Sequence, residues 1–269
     1  MDFWQNDLLR EWVERGRAGE RVGLVTDVDG TISPIAPTPD AAQVPPRSRD
    51  LLRRLAGRLA LVAAVSGRAA DDLSARVGVP GLVYVGNHGL ERLRDGESEA
   101  LPEAIAARPA LERVIAALRS RLLPGMILED KGVTLSIHYR QSADPAAVEA
   151  AFAPLVEQIS RENGLRYFRG KMIFEVRPAV EVNKGTAFAR LIAEYALAAA
   201  MYIGDDVTDA DALIMARSLR RAGTCFALGV GVESDDTPAV LQDNADVLVS
   251  GVSGVEALLD WLLSTLSAS

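Results

Sequence analysis

The segment VGLVTDVDGT, residues 22–31, joins a short apolar run to two aspartates, a glycine and a threonine. Residues 22–26 have the length and composition of a strand that is buried on both faces. In an open α/β sheet, ligands bind beyond the carboxyl ends of the strands, which is where Asp27 and Asp29 would lie. Two carboxylates this close together are unfavourable unless a cation holds them, and Gly30 permits the turn that lets both face one point. The segment indicates a divalent cation site, although such acids can also simply cap a loop.

Five further apolar runs end as abruptly as the first, in polar residues or in glycine. They are LALVAAV (59–65), GLVYVG (81–86), AAMYIG (199–204), CFALGV (225–230) and ADVLVS (245–250). Segments with a helical spacing of apolar residues lie between them, at 46–59, 69–77 and 185–198. Strands that alternate with helices predict an α/β fold, in which a Rossmann-like parallel sheet is covered by helices on both faces.

The middle of the chain has a different pattern, which predicts an inserted domain. Helical spacing alternates there with pairs of strand-like segments, the helices at 108–122 and 145–162 and the strands at 126–130, 133–140, 165–169 and 171–176. The resulting order α-β-β-α-β-β gives an insert with its own antiparallel sheet, and such an insert often covers a site as a cap. We therefore predict a core formed by residues 1–103 and 183–269, with a cap at 104–182.

Composition excludes several classes of function. The formal net charge is −8 and no basic face is evident, which argues against general binding to nucleic acid. No apolar run reaches the length of about 18 residues that spans a membrane, and the N-terminus lacks the order of a secretory signal. We therefore predict a cytoplasmic protein without a membrane partner. The single cysteine, Cys225, excludes an intramolecular disulfide and a cysteine-based zinc cluster.

Three later segments would bring further polar groups to the same edge of the sheet. Ser66-Gly67-Arg68 follows the second apolar run, Lys184-Gly185 opens a helix after the insert, and GDDVTD, residues 204–209, follows another run. A hydroxyl with nearby backbone N–H groups accepts a phosphate, and a lysine is a compact charge suited to phosphate oxygens. Each segment alone also fits a solvated surface, but together they form one consistent site for phosphate and a cation.

The segments DVDGT (27–31), SGR (66–68), NKG (183–185) and GDDVTD (204–209) resemble the four motifs of the haloacid dehalogenase (HAD) type phosphatases. The insert resembles the C2B type of α/β cap, found in the branch that acts on sugar phosphates. Three more strings closely resemble trehalose-6-phosphate phosphatases: YVGNHGLE (84–91), LSIHYR (135–140) and GKMIFEVRPAVEVNKG (170–185). The resemblance implies a HAD core with an inserted αββαββ cap.

The resemblance also implies a role for the acids at the strand ends. Asp27 would be the nucleophile that forms an aspartyl-phosphate. Asp29 would protonate the leaving sugar oxygen and then take a proton from the attacking water. Mg2+ would be held by Asp27, the backbone carbonyl of Asp29 and Asp205, with Asp206 or Asp209 in support.

Substrate contacts are implied in the same way. The phosphoryl oxygens would be bound by Thr31, Ser66 and Lys184. The sugar would be contacted from the core by Arg68, Asn87, His88 and Glu91, and from the cap by Glu129, Lys131, His138, Arg140, Lys171 and Glu175. Lys171 and Glu175 are the leading candidates, although a surface salt bridge would explain them as well. His138 could equally be a hydrogen-bonded histidine of the sheet.

The function implied by the resemblance is Mg2+-dependent hydrolysis of trehalose 6-phosphate to trehalose and phosphate, as in trehalose biosynthesis. The partner would be a small phosphosugar, and a functional link to a trehalose-6-phosphate synthase is expected. Three alternatives stay open: the same chemistry on a sucrose or glucosylglycerate phosphate, a phosphotransferase or mutase, and a non-catalytic phosphosugar-binding regulatory domain. A regulatory domain would be expected to lose an essential acid, whereas Asp27, Asp29, Lys184 and Asp205 are all present.

Overall fold

The computed structural model describes residues 3–36, 42–170 and 172–267, apart from the side chain of Trp4. The chain divides into two compact units. The core unit consists of Met1–Ser98 with Val182–Ser269, and the insert unit consists of Glu99–Glu181. The joints predicted from the sequence, at 103/104 and 182/183, and the roles of catalytic core and cap stay predictions.

Strands and helices alternate along most of the chain. The strands are β1 (Val22–Thr26), β2 (Leu61–Val65), β3 (Val83–Gly86), β4 (Glu91–Arg94), β5 (Glu97–Ala100), β6 (Ile127–Asp130), β7 (Leu135–His138), β8 (Leu165–Gly170), β9 (Ile173–Pro178), β10 (Ala199–Gly204), β11 (Phe226–Glu233) and β12 (Val247–Ser250). The helices are α1 (Asp7–Arg17), α2 (Pro46–Ala56), α3 (Ala70–Val77), α4 (Pro102–Ala106), α5 (Arg108–Arg119), α6 (Pro145–Glu162), α7 (Lys184–Glu194), α8 (Val207–Arg221), α9 (Ala239–Asn244) and α10 (Gly251–Ser267). Within the described residues, no helix combines the length and the apolar character needed to cross a membrane.

Eight of the described strands form one sheet in the order β12-β11-β10-β1-β2-β3-β4-β5. From β12 to β3 all neighbouring strands are parallel, and β4 is antiparallel to β3. Parallel neighbours need crossover connections, and helices of the core unit provide them. The predicted α/β fold with a parallel central sheet is confirmed.

Strand β1 shows why the apolar runs do not alternate with polar residues. All five of its residues are buried. Leu24 packs into a cluster with residues of α1, α2 and α10, whereas Val25 packs into a cluster with residues of α7 and α8. Trp12 is fully buried in the first cluster and Phe188 in the second. Because helices cover both faces of the sheet, polar groups are left to the strand ends.

The apolar pattern of the sequence predicts no strand at the hairpin formed by β4 and β5, and here the structure differs. Both strands are rich in charged residues and are partly or fully exposed, so they lack the apolar pattern of a buried strand. The turn between them is Asp95-Gly96, with φ values of 52° and 83°. Positive φ at both positions is what a tight hairpin turn of type I′ requires. The Asp-Gly pair is the local signal that marks this hairpin.

The described part of the insert unit contains a second sheet of four antiparallel strands, in the order β6-β7-β9-β8. Helices α5 and α6 pack on one face of this sheet, where Leu111 and Phe152 share a core with Ile137 and Phe174. The observed order α5-β6-β7-α6-β8-β9 confirms the predicted αββαββ order of the insert.

Candidate active site

The ends of β1 and β10 lie side by side, although they are far apart in the sequence. Thr26 at the end of β1 is paired with Ile203 of β10. The next residue, Asp27, donates its backbone N–H to the Ile203 carbonyl oxygen at 2.8 Å. Asp205 follows the end of β10 directly. The parallel register therefore delivers Asp27 and Asp205 to the same edge of the sheet.

Asp27, Asp205 and Asp209 form a compact group of carboxylates, with one oxygen of each within 4.8 Å of the others. The ammonium of Lys184 lies against two of them. Its Nζ donates to Asp27 Oδ1 and to Asp209 Oδ1, both at 2.7 Å. Asp27, Asp209 and Lys184 are buried, and Asp205 is half-buried. The structure thus brings together four of the residues that the sequence nominates.

Burial and charge oppose one another in this group. Burial by itself would lower the pKa of Lys184, but the carboxylates of Asp209 and Asp27 outweigh it and raise that pKa. Burial raises the pKa of Asp27 well above its usual value, against the pull of the Lys184 charge. The pKa of Asp205 is raised to about 6, first by burial and then by the Asp209 carboxylate. The group therefore carries more negative charge than one ammonium compensates.

Gly30 allows the loop after β1 to approach Asp205 closely. Its φ is +97°, and a Cβ at this position would lie 2.0 Å from Asp205 Oδ2, so no other residue fits without displacing that carboxylate. The neighbouring Thr31 hydroxyl donates to Asp205 Oδ1 at 2.9 Å. This turn fixes Asp205 from the side of β1, and the phosphate contact expected of Thr31 stays a prediction.

The oxygens of this group fit a hard divalent cation. Neither Asp27 Oδ2 nor Asp205 Oδ2 accepts a hydrogen bond from the residues that the structure describes. Carboxylate oxygens are the ligands that hard divalent cations prefer. Asp209 differs because both of its oxygens accept hydrogen bonds. It therefore stabilises the cluster and does not offer a free ligand atom. The buried acidic cluster suggests a divalent metal site at Asp27 and Asp205.

Asp206 lies outside this cluster. It is exposed, and its side chain accepts a hydrogen bond from the backbone N–H of Val207 as the N-cap of α8. A carboxylate at the start of a helix is favourable in its own right, because it satisfies an N–H group and meets the positive end of the helix dipole. Its support of a cation stays a prediction.

Asp29 and Arg68 form a bidentate ion pair. Arg68 donates from Nε to Asp29 Oδ2 at 2.6 Å and from Nη2 to Asp29 Oδ1 at 2.9 Å. Arg68 also donates from Nη1 to Asp72 Oδ2 at 3.1 Å, and Asp72 accepts a further hydrogen bond from Arg76. The structure therefore pairs Asp29, the predicted general acid, with Arg68, a predicted substrate contact.

The other predicted residues of the core unit lie beyond the ends of β2 and β3. Asn87 and His88 both have positive φ, 48° and 58°. Their backbone N–H groups donate to carbonyl oxygens of the Ser66-Gly67-Arg68 segment, at 2.7 and 2.9 Å. Glu91 Oε1 accepts from the Asn87 side-chain amide at 2.8 Å and from the Ala70 N–H at the start of α3 at 2.7 Å. Glu91 thus stabilises the loop and the helix, in addition to any contact with a substrate.

In the insert unit, Glu129 lies on the sheet face opposite the helices. It is paired across the strands with Ser136 of β7, whose other neighbour is Glu175 of β9. Glu129 Oε2 lies 2.8 Å from His138 Nε2 and 4.0 Å from Lys131 Nζ. Four of the predicted sugar contacts, Glu129, Lys131, His138 and Glu175, therefore share one region of this sheet.

Glu175 is held by Arg177, which lies two residues further along the same strand and donates from Nε at 3.1 Å. The Arg177 guanidinium also lies 4.5 Å from the centre of the Phe168 ring. Arg140 is exposed just beyond β7. Lys171 lies outside the described residues. Substrate contacts by these residues stay predictions.

Tyr202 is not among the residues predicted from the sequence, yet the structure places it in direct contact with the acidic cluster. Its hydroxyl donates to Asp209 Oδ1 at 2.7 Å, and the side chain is fully buried. A tyrosine within the apolar run 199–204 is the signal that marks it, because a buried tyrosine hydroxyl usually has a hydrogen-bond partner.

Replacing Asp205 by asparagine is expected to stabilise the metal-free protein at pH 7 by about 2 kcal/mol and to abolish its binding of divalent cations. The pKa of Asp205 in the folded protein is about 6, above the usual value for aspartate. The folded state therefore binds this proton more tightly than the unfolded state does. Stability gained from Asp205 increases as pH falls through 6, and the ionised carboxylate destabilises the metal-free fold at pH 7.

Urea unfolding with a chelator, at pH 5 and pH 7, measures this effect. The unmodified protein should gain stability at the lower pH, and Asp205→Asn should gain less. Titration calorimetry measures cation binding. Asp260→Asn, an exposed substitution in α10, is the control and should change neither quantity. Loss of stability in Asp205→Asn at pH 7 would contradict the expected sign.

Comparison with known proteins gives the family. A model of the trehalose-phosphatase family matches residues 25–239. The trehalose-phosphate phosphatase of Mycobacterium tuberculosis is 35% identical over 205 residues, which cover 73% of this chain and 52% of that protein. The chain thus spans about half the length of the curated relatives it matches.

Solved structures show the same fold. The C-terminal domain of the C. albicans trehalose-6-phosphate phosphatase superposes with a TM-score of 0.75 at 22% identity, covering 95% of this chain and 96% of that one. A phosphatase of the haloalkanoate (HAD) enzyme superfamily from Bacteroides thetaiotaomicron superposes with a TM-score of 0.59 at 19% identity, covering 90% and 95%. The chain therefore belongs to the trehalose-phosphatase family and has the HAD fold.

Proposed function

We propose that this chain is a phosphatase that hydrolyses trehalose 6-phosphate to trehalose and phosphate, with Asp27 as the nucleophile and Mg2+ as the cation. The observation that carries the proposal is the buried Asp27 carboxylate, beside Asp205 and 2.7 Å from the Lys184 ammonium. Membership of the trehalose-phosphatase family supports the choice of substrate. The chain spans about half the length of its curated relatives, so the activity is proposed for this chain on the basis of its own residues.

In the first step an oxygen of Asp27 would attack phosphorus, so that a carboxylate–phosphorus bond forms while the bond from phosphorus to the sugar oxygen breaks. Bound Mg2+ would offset the repulsion between the carboxylate and phosphate charges. An ammonium has three N–H groups. Lys184 donates two of them to Asp27 and Asp209, and the third would bind a phosphoryl oxygen together with the Ser66 hydroxyl. The Thr31 hydroxyl would bind the phosphoryl group after its single O–H is released from Asp205 Oδ1.

Asp29 would protonate the leaving sugar oxygen and later take a proton from the water that cleaves the aspartyl-phosphate. Both Asp29 oxygens accept hydrogen bonds from Arg68, so the acid step requires Arg68 to release at least one of them. Asp72 already shares the Arg68 guanidinium and offers it an alternative partner. Proton transfer in this proposal therefore includes a rearrangement of the Asp29–Arg68 pair, which turns Arg68 towards the substrate.

Sugar selection would fall to the sheet face of the insert unit that carries Glu129 and Glu175. Closure of this unit as a cap would exclude bulk water during phosphoryl transfer. We also propose a cytoplasmic location and a functional link to a trehalose-6-phosphate synthase, which would supply the substrate.

Phosphate release from a panel of substrates tests the proposed function. The panel contains trehalose 6-phosphate, sucrose phosphate, glucosylglycerate phosphate, glucose 6-phosphate and p-nitrophenyl phosphate, each with Mg2+ and with a chelator. The highest kcat/KM is expected for trehalose 6-phosphate, with no release when the cation is removed. A higher kcat/KM for another phosphosugar would identify that compound as the substrate instead of trehalose 6-phosphate. Absence of phosphate release from every compound would overturn the proposed phosphatase activity.

Replacing Glu175 by alanine is expected to lower kcat/KM for trehalose 6-phosphate by about 10- to 100-fold, the effect of one hydrogen bond to a charged group. The value for p-nitrophenyl phosphate should stay within threefold, because that compound has no sugar hydroxyls. Glu149→Ala is the matched control. It removes a carboxylate that also pairs with an arginine of the insert unit, Arg169, but stands on helix α6. Equal losses on both substrates would remove Glu175 from sugar recognition.

A further inference from the structure

Asp209 is the most heavily hydrogen-bonded side chain of the acidic cluster. Oδ1 accepts from Lys184 Nζ and from the Tyr202 hydroxyl, both at 2.7 Å. Oδ2 accepts from the backbone N–H groups of Asp205 and Asp206, at 3.3 and 3.1 Å. A carboxylate has about four acceptor positions, so these donors use all of them. Gly204 packs directly against this carboxylate. A Cβ at position 204 would lie 2.3 Å from Asp209 Cγ, so a larger residue does not fit there.

A continuous chain of contacts leads from Tyr202 to the proposed nucleophile. The Tyr202 hydroxyl meets the same Asp209 oxygen that Lys184 contacts, and Lys184 in turn contacts Asp27 Oδ1 at 2.7 Å. We propose that Tyr202 is a positioning residue, which fixes the Asp209 carboxylate and thereby holds the Lys184 ammonium against Asp27. This inference rests on the proposed function for the roles of Asp27 as nucleophile and Lys184 as phosphate contact. The hydrogen bonds themselves do not depend on that function.

The physical reason is a competition for one ammonium. Lys184 ends a flexible stem and lies between two buried carboxylates, each of which attracts it strongly where water is excluded. The Tyr202 hydroxyl satisfies part of the Asp209 charge and so leaves the ammonium shared with Asp27. Tyr202 is suited to this role because it stands on β10 in the interior of the sheet, where its ring makes an edge contact with the Phe188 ring at 5.5 Å and an interplanar angle of 69°.

Tyr84 provides a matched comparison for a hydroxyl with a structural role only. Its side chain is also buried on a strand of the same sheet, β3. Its hydroxyl donates to the Val79 carbonyl oxygen at 2.6 Å and accepts from the Val79 N–H at 3.0 Å. Replacing either tyrosine by phenylalanine removes one buried hydroxyl and keeps the ring. Only the change at Tyr202 touches the chain of contacts that ends at Asp27.

Steady-state kinetics of Tyr202→Phe and Tyr84→Phe with trehalose 6-phosphate and p-nitrophenyl phosphate test the proposal. Tyr202→Phe should lower kcat by about tenfold on both substrates, since Lys184 and Asp27 act on the phosphoryl group that the two share. KM should change by less than twofold. Tyr84→Phe should keep kcat within twofold, whatever its loss of stability. A kcat of Tyr202→Phe within twofold of the unmodified protein would overturn the positioning role.

A spectroscopic arm needs no substrate and no metal. The sequence has lysines at positions 131, 171 and 184 only, so nitrogen-15 labelling of lysine gives three ammonium signals by NMR. The Lys184 signal is identified by elimination with Lys131→Arg and Lys171→Arg. In Tyr202→Phe this signal should shift and exchange faster with water, whereas in Tyr84→Phe it should stay unchanged. An unchanged Lys184 signal in Tyr202→Phe would overturn the inference even in an active phosphatase. If the Lys184 signal changed in Tyr202→Phe while the unmodified protein had no phosphatase activity, the positioning role would be upheld and the proposed function would be wrong.

Discussion

Substituting Asp27 by asparagine is expected to lower kcat for phosphate release by at least about 10,000-fold, because an amide oxygen does not form the acyl-phosphate. The fold should be retained. Burial raises the pKa of Asp27, so a neutral side chain of the same shape is at least as well tolerated there as the carboxylate. The asparagine oxygen can still accept the hydrogen bond from Lys184. Phosphate release and trapping of labelled phosphoprotein measure the effect, and both should be absent in the variant.

The matched control for this prediction is Asp246→Asn. Asp246 is a half-buried residue of the core unit, and its carboxylate accepts hydrogen bonds from Arg220 at 2.6 and 2.9 Å and from the Gly229 N–H. Its replacement should reduce stability while kcat of the folded protein stays within twofold. Substantial cation-dependent turnover by Asp27→Asn would overturn the assignment of the nucleophile, whatever the control shows.

Substituting Lys184 by methionine is expected to lower the free energy of unfolding by about 3–5 kcal/mol at pH 7, the usual effect of leaving buried charges without their partner. Asp27 and Asp209 would then face each other in the interior with no cation between them. The loss should shrink at pH 5. Protonation of Asp27, whose pKa is already raised by burial, neutralises one charge, so the variant gains stability as pH falls. Chemical denaturation at the two pH values measures both effects.

Two further variants separate charge from packing at Lys184. Lys184→Met with Asp209→Asn should recover part of the lost stability, because it removes one of the two uncompensated carboxylates. Arg54→Met removes an exposed cation that lies 3.8 Å from Asp50 on α2, and such a loose surface pair contributes at most about 1 kcal/mol. If Lys184→Met lost no more stability than Arg54→Met, the ion pairs of Lys184 would not be the stabilising element described above.

Much of the fold can be predicted from local sequence. The buried runs before Asp27, Ser66 and Asp205 are recognisable because a strand covered on both faces needs apolar residues at every position. The hairpin of β4 and β5 escapes this test, since its strands are mostly charged and its one local marker is the turn at Asp95-Gly96. Elements that bury little apolar surface leave little trace in the sequence.

The contents of the candidate site were predictable for a related reason. Strand ends in a parallel sheet collect at one edge, so Asp27 and Asp205 could be nominated without knowing the structure, and Lys184 could be nominated as a cation at the start of a helix. The hydrogen-bond partner of each group could not be predicted from the sequence. Both oxygens of Asp29 are taken by Arg68, Glu91 caps α3, and Asp209 is held by Tyr202. None of these pairs follows from spacing, because each joins elements whose relative height and rotation are set by packing.

The sequence by itself determined which chemical groups this protein places at the edge of its sheet, because burial and turn formation act over a few neighbouring residues. Only the tertiary structure decided which group contacts which. Lys184 and Asp27 stand 157 positions apart, and Thr31 and Asp205 stand 174 apart. Contacts over such separations depend on the register of β1 against β10 and on the packing of α7 and α8. That register is fixed by the whole core, so no short segment of the chain contains it.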